Sequence, residues 1–194
     1  GEIDVQPPGR GHVRAVNLSR FLTELDNLRA ALTRANQAGE IVFGLRLALA
    51  LQDAWYSERR EGHAWLDRFL AADLSTVPPM LVAKALFWRS QLTWPTYEQR
   101  RQAVTDTERA VAIGRGNGES AALVRLLVGA ATAQDRTDAF AEGAKLAQEA
   151  VDLARESDDG GLLSRALARL ASCRQALGET GEAESLARLR EDIA

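Results

Sequence analysis

The chain has 194 residues, 46% hydrophobic and 26% charged, enough for one ordinary domain or a short repeat array burying roughly 70% of its unfolded surface. Twenty-four basic against 27 acidic residues give a net charge of -3, which argues against direct nucleic-acid binding as the main task. One cysteine, Cys173, and two histidines, His12 and His63, exclude an internal disulfide and any Cys-based or histidine-rich metal site.

Residues 1–15, with Gln6-Pro7-Pro8-Gly9, lack a period and read as a linker or interdomain arm, and 16–194 as a helical-repeat domain. From Val16, Leu18, Phe21, Leu22, Leu25, Leu28, Ala31 and Leu32 recur at three- and four-residue steps on one helical face, and Gly39 is the expected C-cap. Further helical stretches are predicted near 41–57, 59–72, 79–94, 97–114, 119–134, 139–157, 161–177 and 180–193. Short breaks such as Val77-Pro78-Pro79, Trp94-Pro95, Gly114–Gly118 and Asp135–Asp138 separate them. No segment alternates like a hairpin strand, so the chain is expected to be all-α.

A shift of 40 positions lays Leu123, Arg125, Leu127 and Ala131 on Leu163, Arg165, Leu167 and Ala171, and Glu142 to Gln148 on Glu182 to Arg188. The same step links Ala103 to Gly143, and a step of 41 reaches Gly62. The predicted architecture is an α-solenoid of antiparallel helix pairs with a period of about 40 residues. Its A helices start near 41, 79, 119 and 161, and its B helices near 59, 97, 139 and 180. Gly62, Ala103, Gly143 and Ala183 fall early in the B helices, where a minimal side chain lets the A helix approach. The pattern is similar to tetratricopeptide (TPR) repeats, stretched beyond their usual length of about 34 residues.

A second resemblance lies in the series Glu24-Leu25-Asp26-Asn27-Leu28-Arg29-Ala30-Ala31-Leu32, Gly44-Leu45-Arg46-Leu47-Ala48, Trp55, Glu61-Gly62 and Trp65 to Leu70. It resembles the helical region after the nucleotide-binding module of bacterial signalling ATPases of the NB-ARC (STAND) class, many of them LuxR-type or related transcriptional regulators. The stretch Gln148 to Glu156 is similar to their repeat units. The resemblance implies an interaction and regulatory array beside a separate ATPase. This sequence has no G-x-x-x-x-G-K-[ST] and no evident DNA-binding helix-turn-helix, so it would be a piece or a reduced relative of such a protein.

The candidates for chemistry have duller explanations. Gly114-Arg115-Gly116-Asn117-Gly118 follows a helix and precedes no Lys, so an inter-helix turn is expected there. His63 lacks an evident pocket, and Cys173 lacks a neighbouring His. Asp158-Asp159-Gly160-Gly161 is a helix break without the ligand spread of a calcium loop. No catalytic, cofactor or metal residue is predicted, and the chain is expected not to be an enzyme.

Two partner surfaces stand as alternatives. Arg125 and Arg165 share one repeat phase on successive A helices, where two guanidinium groups would clamp a carboxylate or acidic peptide. Against this, 22 of the 24 basic residues are Arg, a composition that fills solvated and ion-paired positions as well. Ten of the eleven aromatic residues lie at or before Tyr97, which reads as a bulky early core or, at Trp88 and Trp94, as an interface anchor. The expected role is a non-enzymatic, protein- or peptide-binding regulatory domain of a larger signalling ATPase or transcriptional regulator, with an intramolecular ATPase module as one partner. A free-standing scaffold, a hidden enzyme and a nucleic-acid-binding solenoid are the alternatives. No secretory leader opens the chain and no apolar run spans a bilayer, so a cytoplasmic location off the membrane is expected. The oligomeric state is left open.

Overall fold

In the computed structural model, the described residues are 26–92, 96–118, 120–157 and 159–193, with the side chains of 53, 54 and 97 outside that description. The predicted arm over 1–15, the start of the first helix and Trp94 lie outside it as well.

The described part of α1 covers 26–37. It is followed by α2 (Ile41–Ala50), α3 (Gln52–Trp55), α4 (Arg59–Leu70), α5 (Pro79–Leu92), α6 (Tyr97–Arg115), α7 (Ser120–Asp135), α8 (Phe140–Arg155), α9 (Gly160–Ala176) and α10 (Thr180–Glu191). The starts agree with the repeat phase read from the sequence. One element differs: the stretch expected as a helix over 41–57 stops at Leu51, and the short α3 follows.

Local chemistry fixes the ends. Pro79 opens α5 at a position where a missing N–H costs nothing. The Thr96 hydroxyl accepts from the Gln99 N–H at 3.3 Å, and the Asp159 carboxylate accepts from the Leu162 N–H at 3.1 Å. α1 ends in a Schellman turn: Gly39 has φ +69°, and the Glu40 N–H reaches the Ala35 carbonyl at 2.9 Å. The turn after α7 has the same hydrogen bonds, with Asp138 taking the left-handed position at φ 60°.

From α2 onward each helix packs on the next, and α2, α5, α7 and α9 also touch in succession, more closely than successive B helices do. The A helices therefore line the inner face of the array. One core runs through the stack. It is bulky early, with Trp55, Leu66, Phe69 and Leu86 almost fully buried, and lean later, with Ala147, Ala150, Val151, Ala154, Ala166 and Leu167. Gly62, Ala103, Gly143 and Ala183 are all buried, as their repeat phase requires. At Gly62 a Cβ would stand 2.5 Å from Trp55 Cγ, so that helix contact depends on the missing side chain.

Candidate functional site

The A helices enclose a groove of about 840 Å³ that runs from α3 across α5 and α7 to α9. Its floor is apolar, with Val124, Leu126 and Leu162 nearly buried. The Phe87 ring lies over Gly129, where a Cβ would come within 2.2 Å of Phe87 Cε2. A side chain at 129 would thus push the ring into the groove. At the α3–α5 end, Trp88 meets Tyr56 and Phe87 edge-on, with ring centroids 5.9 Å and 5.7 Å apart at 78° and 87°. Tyr56 keeps 53% of its surface exposed, so this aromatic cluster presents a partly open apolar platform.

Among the described residues, the charge lining the groove has one sign. Lys84, Arg125 and Arg165 line it, all exposed, and no carboxylate does among the described residues. Several arginines elsewhere in the array are held in ion pairs. Arg29 bonds Glu61 through two nitrogens at 2.8 and 2.6 Å, Arg115 bonds Glu149 at 3.1 and 2.6 Å, and Arg169 pairs with Asp135. Arg89 pairs with the buried Asp106 at 2.7 Å and with Asp67 at 2.7 Å. For Lys84, Arg125 and Arg165 no such bond occurs among the described residues. An open cation beside an apolar wall attracts a carboxylate more strongly than one already neutralised by a neighbour.

Arg125 and Arg165, weighed in the sequence against the aromatic region, share one groove with Trp88. The two surfaces are ends of a single site, because stacking A helices brings α5, α7 and α9 side by side across long stretches of sequence. Trp94 lies outside the described residues. Sequence reasoning missed Lys84, Tyr56, Met80 and Phe87. A signal for Lys84 was present: it precedes Arg125 by the same step of 41 that links Gly62 to Ala103.

No family model matches the chain. Solved structures establish what the helices build. The fold is that of TPR-like repeats. A solved structure named "Podosopora anserina putative kinesin light chain nearly identical TPR-like repeats" superposes with a TM-score of 0.64, at 18% identity over 91% of this chain and 95% of that one. The MamA protein gives a TM-score of 0.61 at 12% identity, covering 91% of this chain and 87% of its own. In sequence, the chain is 34% identical over 164 residues to proteins named "Putative HTH-type transcriptional regulator" from Mycobacterium bovis and Mycobacterium tuberculosis. That match covers 79% of this chain and 18% of theirs, so the chain spans less than a fifth of the length of these relatives.

The remaining polar groups of the TPR-like array have structural settings. His63 is half-buried among Asp67, Arg89 and Asp106, and burial pushes its pKa below the ordinary imidazole value. Cys173 is buried, with its thiol donating to Asp135 Oδ1 at 3.3 Å; burial and that carboxylate push it up to about 12. Glu61 is held below the usual carboxylate range by the Arg29 guanidinium. Gly114 and Arg115 end α6, Gly116 to Gly118 form the turn that leads to α7, and Asp159 caps α9. Among the described residues no group of three or more His, Cys, Asp or Glu is placed to hold a metal ion, and no helix is long and apolar enough to cross a membrane.

Proposed function

We propose that this chain is a non-enzymatic protein-interaction and regulatory array of a larger cytoplasmic transcriptional regulator of the STAND class. It takes a segment of a partner protein, or of the regulator's own ATPase module, along its A-helix groove. The observation that carries the reading is the groove itself: an apolar floor crossing successive A helices, with Lys84, Arg125 and Arg165 exposed along it. The likeness to a short region of much longer mycobacterial regulators supports placing the array within such a protein.

The physics suits docking without bond chemistry. The continuous core fixes the A helices relative to one another, so the groove is formed before a ligand arrives and little ordering cost falls on binding. Arg125 and Arg165 offer planar forks that match carboxylates, while Trp88 and Tyr56 supply the desolvated area that anchors an interface. Occupation of the groove by one segment excludes another, which is a direct route to imposing or relieving autoinhibition.

A random peptide library displayed on phage tests this. Peptides should be enriched on the chain and lost on Ala121→Trp, which fills the groove from an exposed position and leaves the core untouched. Enrichment indifferent to Ala121→Trp would overturn docking at this face.

A further inference from the structure

The array has a second open face. B helices α8 and α10 scarcely touch, and a furrow runs along α8 between them, floored by the buried Leu170. It consists of two depressions that share Gln148 and Arg174, the larger of about 790 Å³. Arg174 follows Arg165 by nine residues, about two and a half helical turns, so the furrow opens on the side of α9 away from the A-helix groove. Its charge is opposite to that of the groove. Glu149, Asp152, Glu156, Glu179 and Glu182 line it against Lys145 and Arg174. Both cations are already engaged, Lys145 with Glu142 at 2.8 Å and Arg174 with Glu179 at 2.7 Å and Glu182 at 3.4 Å. Asp152 and Glu156 are exposed at the C-terminal end of α8, where the helix dipole disfavours carboxylates, and Glu156 has no ion pair among the described residues. Leu177 and Leu189 remain 40% and 39% exposed. Forty positions earlier their places are held by Thr137 and Glu149, so stacking of the repeats does not call for leucine there. In α10 only Ala183 is buried, which leaves Leu186 half-buried and Leu189 exposed on one face of the helix.

We propose that this furrow is a second docking surface and takes a basic amphipathic α-helix of a partner protein. The apolar stripe of that helix lies on Leu177, Leu186 and Leu189, and its Lys or Arg residues meet Asp152 and Glu156. Charge complementarity selects the basic occupant: the furrow is rich in carboxylates, and both of its own cations are taken. The helical form follows from the seat. The lining residues of α8 recur at three- and four-residue steps from Ala141 to Glu156, a face about 22 Å long onto which another helix packs ridge into groove. No strand edge is present among the described residues for an extended segment to pair with. Nucleic acid and anionic lipid are repelled by the same carboxylates. The surface is separate from the A-helix groove, so the array has room for two segments at once, one on each side.

Fluorescence anisotropy with a labelled peptide of about 16 residues, long enough as a helix to cover the α8 face, tests this. The probe carries leucines at three- and four-residue steps and lysines over the rest of its surface. It is compared with an isomer whose leucines are scattered and with a version in which glutamate replaces lysine. The amphipathic basic peptide should bind about tenfold more tightly than its isomer, and the glutamate version should not bind the furrow. Leu177→Ser, Leu189→Ser, Asp152→Lys and Glu156→Lys, all at exposed positions, should each weaken binding about tenfold with the helical circular dichroism unchanged, and added salt should weaken it further. Ala121→Trp, which fills the opposite groove, should leave the affinity unchanged. Equal affinity for the isomer would overturn the proposal, as would indifference to all four furrow substitutions. Binding lost on Ala121→Trp would move the basic helix to the A-helix groove. A dimer in sedimentation that Leu189→Ser disperses would make a second copy of this chain the occupant. If the basic helix fails to bind while phage-selected peptides are lost on Ala121→Trp, the furrow falls and the A-helix docking face stands.

Discussion

Gly62 supplies a quantitative test of how the helix pairs are held together. In Gly62→Ala the new methyl would meet Trp55 Cγ at 2.5 Å, Trp55 Cβ at 2.7 Å and Leu92 Cδ1 at 2.9 Å. Trp55 is 1% exposed, and its indole N–H donates to the Ala48 carbonyl at 2.8 Å. The ring has no free volume to move into and loses a buried hydrogen bond if it rotates. Overpacking costs about 1–3 kcal/mol, and an unsatisfied buried N–H about 1–3 kcal/mol more. Alanine returns about 1 kcal/mol through helix propensity. The net expectation is a loss of about 1–5 kcal/mol. At Gly143 the nearest atoms, Asp135 Oδ1, Ala131 O and Cys173 Sγ, lie at 3.1, 3.2 and 3.3 Å, so Gly143→Ala should be close to neutral. Gly143→Leu, by contrast, should cost about 1–3 kcal/mol by wedging α7 from α8. Gly181, in α10, has nothing within 4 Å, and Gly181→Ala should gain up to about 1 kcal/mol. Urea titration gives the three alanine variants on one scale, with the slope checked for constancy. Equal midpoints for Gly62→Ala and Gly181→Ala would refute the close-approach argument.

Arg89→Ala should destabilise the chain by about 3–5 kcal/mol, because Asp106, 2% exposed, loses its guanidinium partner. The double variant Arg89→Met/Asp106→Leu should recover much of that loss in the same titration, and failure to recover would argue against stranded charge as the cause. Cys173 should not react with a thiol reagent at neutral pH in the folded chain, since it is buried and its thiol lies near 12; prompt labelling would contradict its placement. Acid should weaken the fold in two stages. His63 resists protonation when folded, so its contribution is present above about pH 6.5 and fades as pH falls through the lowered native value. Glu61, also depressed in the native state, contributes above the ordinary carboxylate range and is lost below it. His63→Gln should remove the first stage and leave the second, as read from urea midpoints across pH.

The array was legible because stacking imposes a period. Gly62, Ala103, Gly143 and Ala183 must be small at one phase, and Leu127 and Leu167 must fill the same gap between pairs, so a shift of the sequence exposes the architecture. The placement of Arg125 and Arg165 on the inner face followed from that phase. Their union with Trp88 was not legible, since the contact runs between A helices and leaves no local pattern. Lys84 escaped because the step changes to 41 and the residue type from Arg to Lys, although its phase was there to read. The break at Leu51 follows from packing around Trp55, whose indole is tied back to Ala48, and apolar spacing continues across it without a signal. Pairs such as Arg89 with Asp106 join different helices in no fixed register, so composition offered only the surplus of arginine.

The docking face itself is tested most directly by mapping where a bound segment lies. A peptide selected on the chain by phage display, carrying a benzophenone at one end, can be photo-crosslinked to the chain and the attachment sites read by mass spectrometry. Crosslinks should fall on the groove-facing residues of α5, α7 and α9, and Ala121→Trp should abolish them. Crosslinks concentrated on the B helices α6, α8 and α10, and unaffected by Ala121→Trp, would contradict the assignment of the A-helix groove as the binding surface.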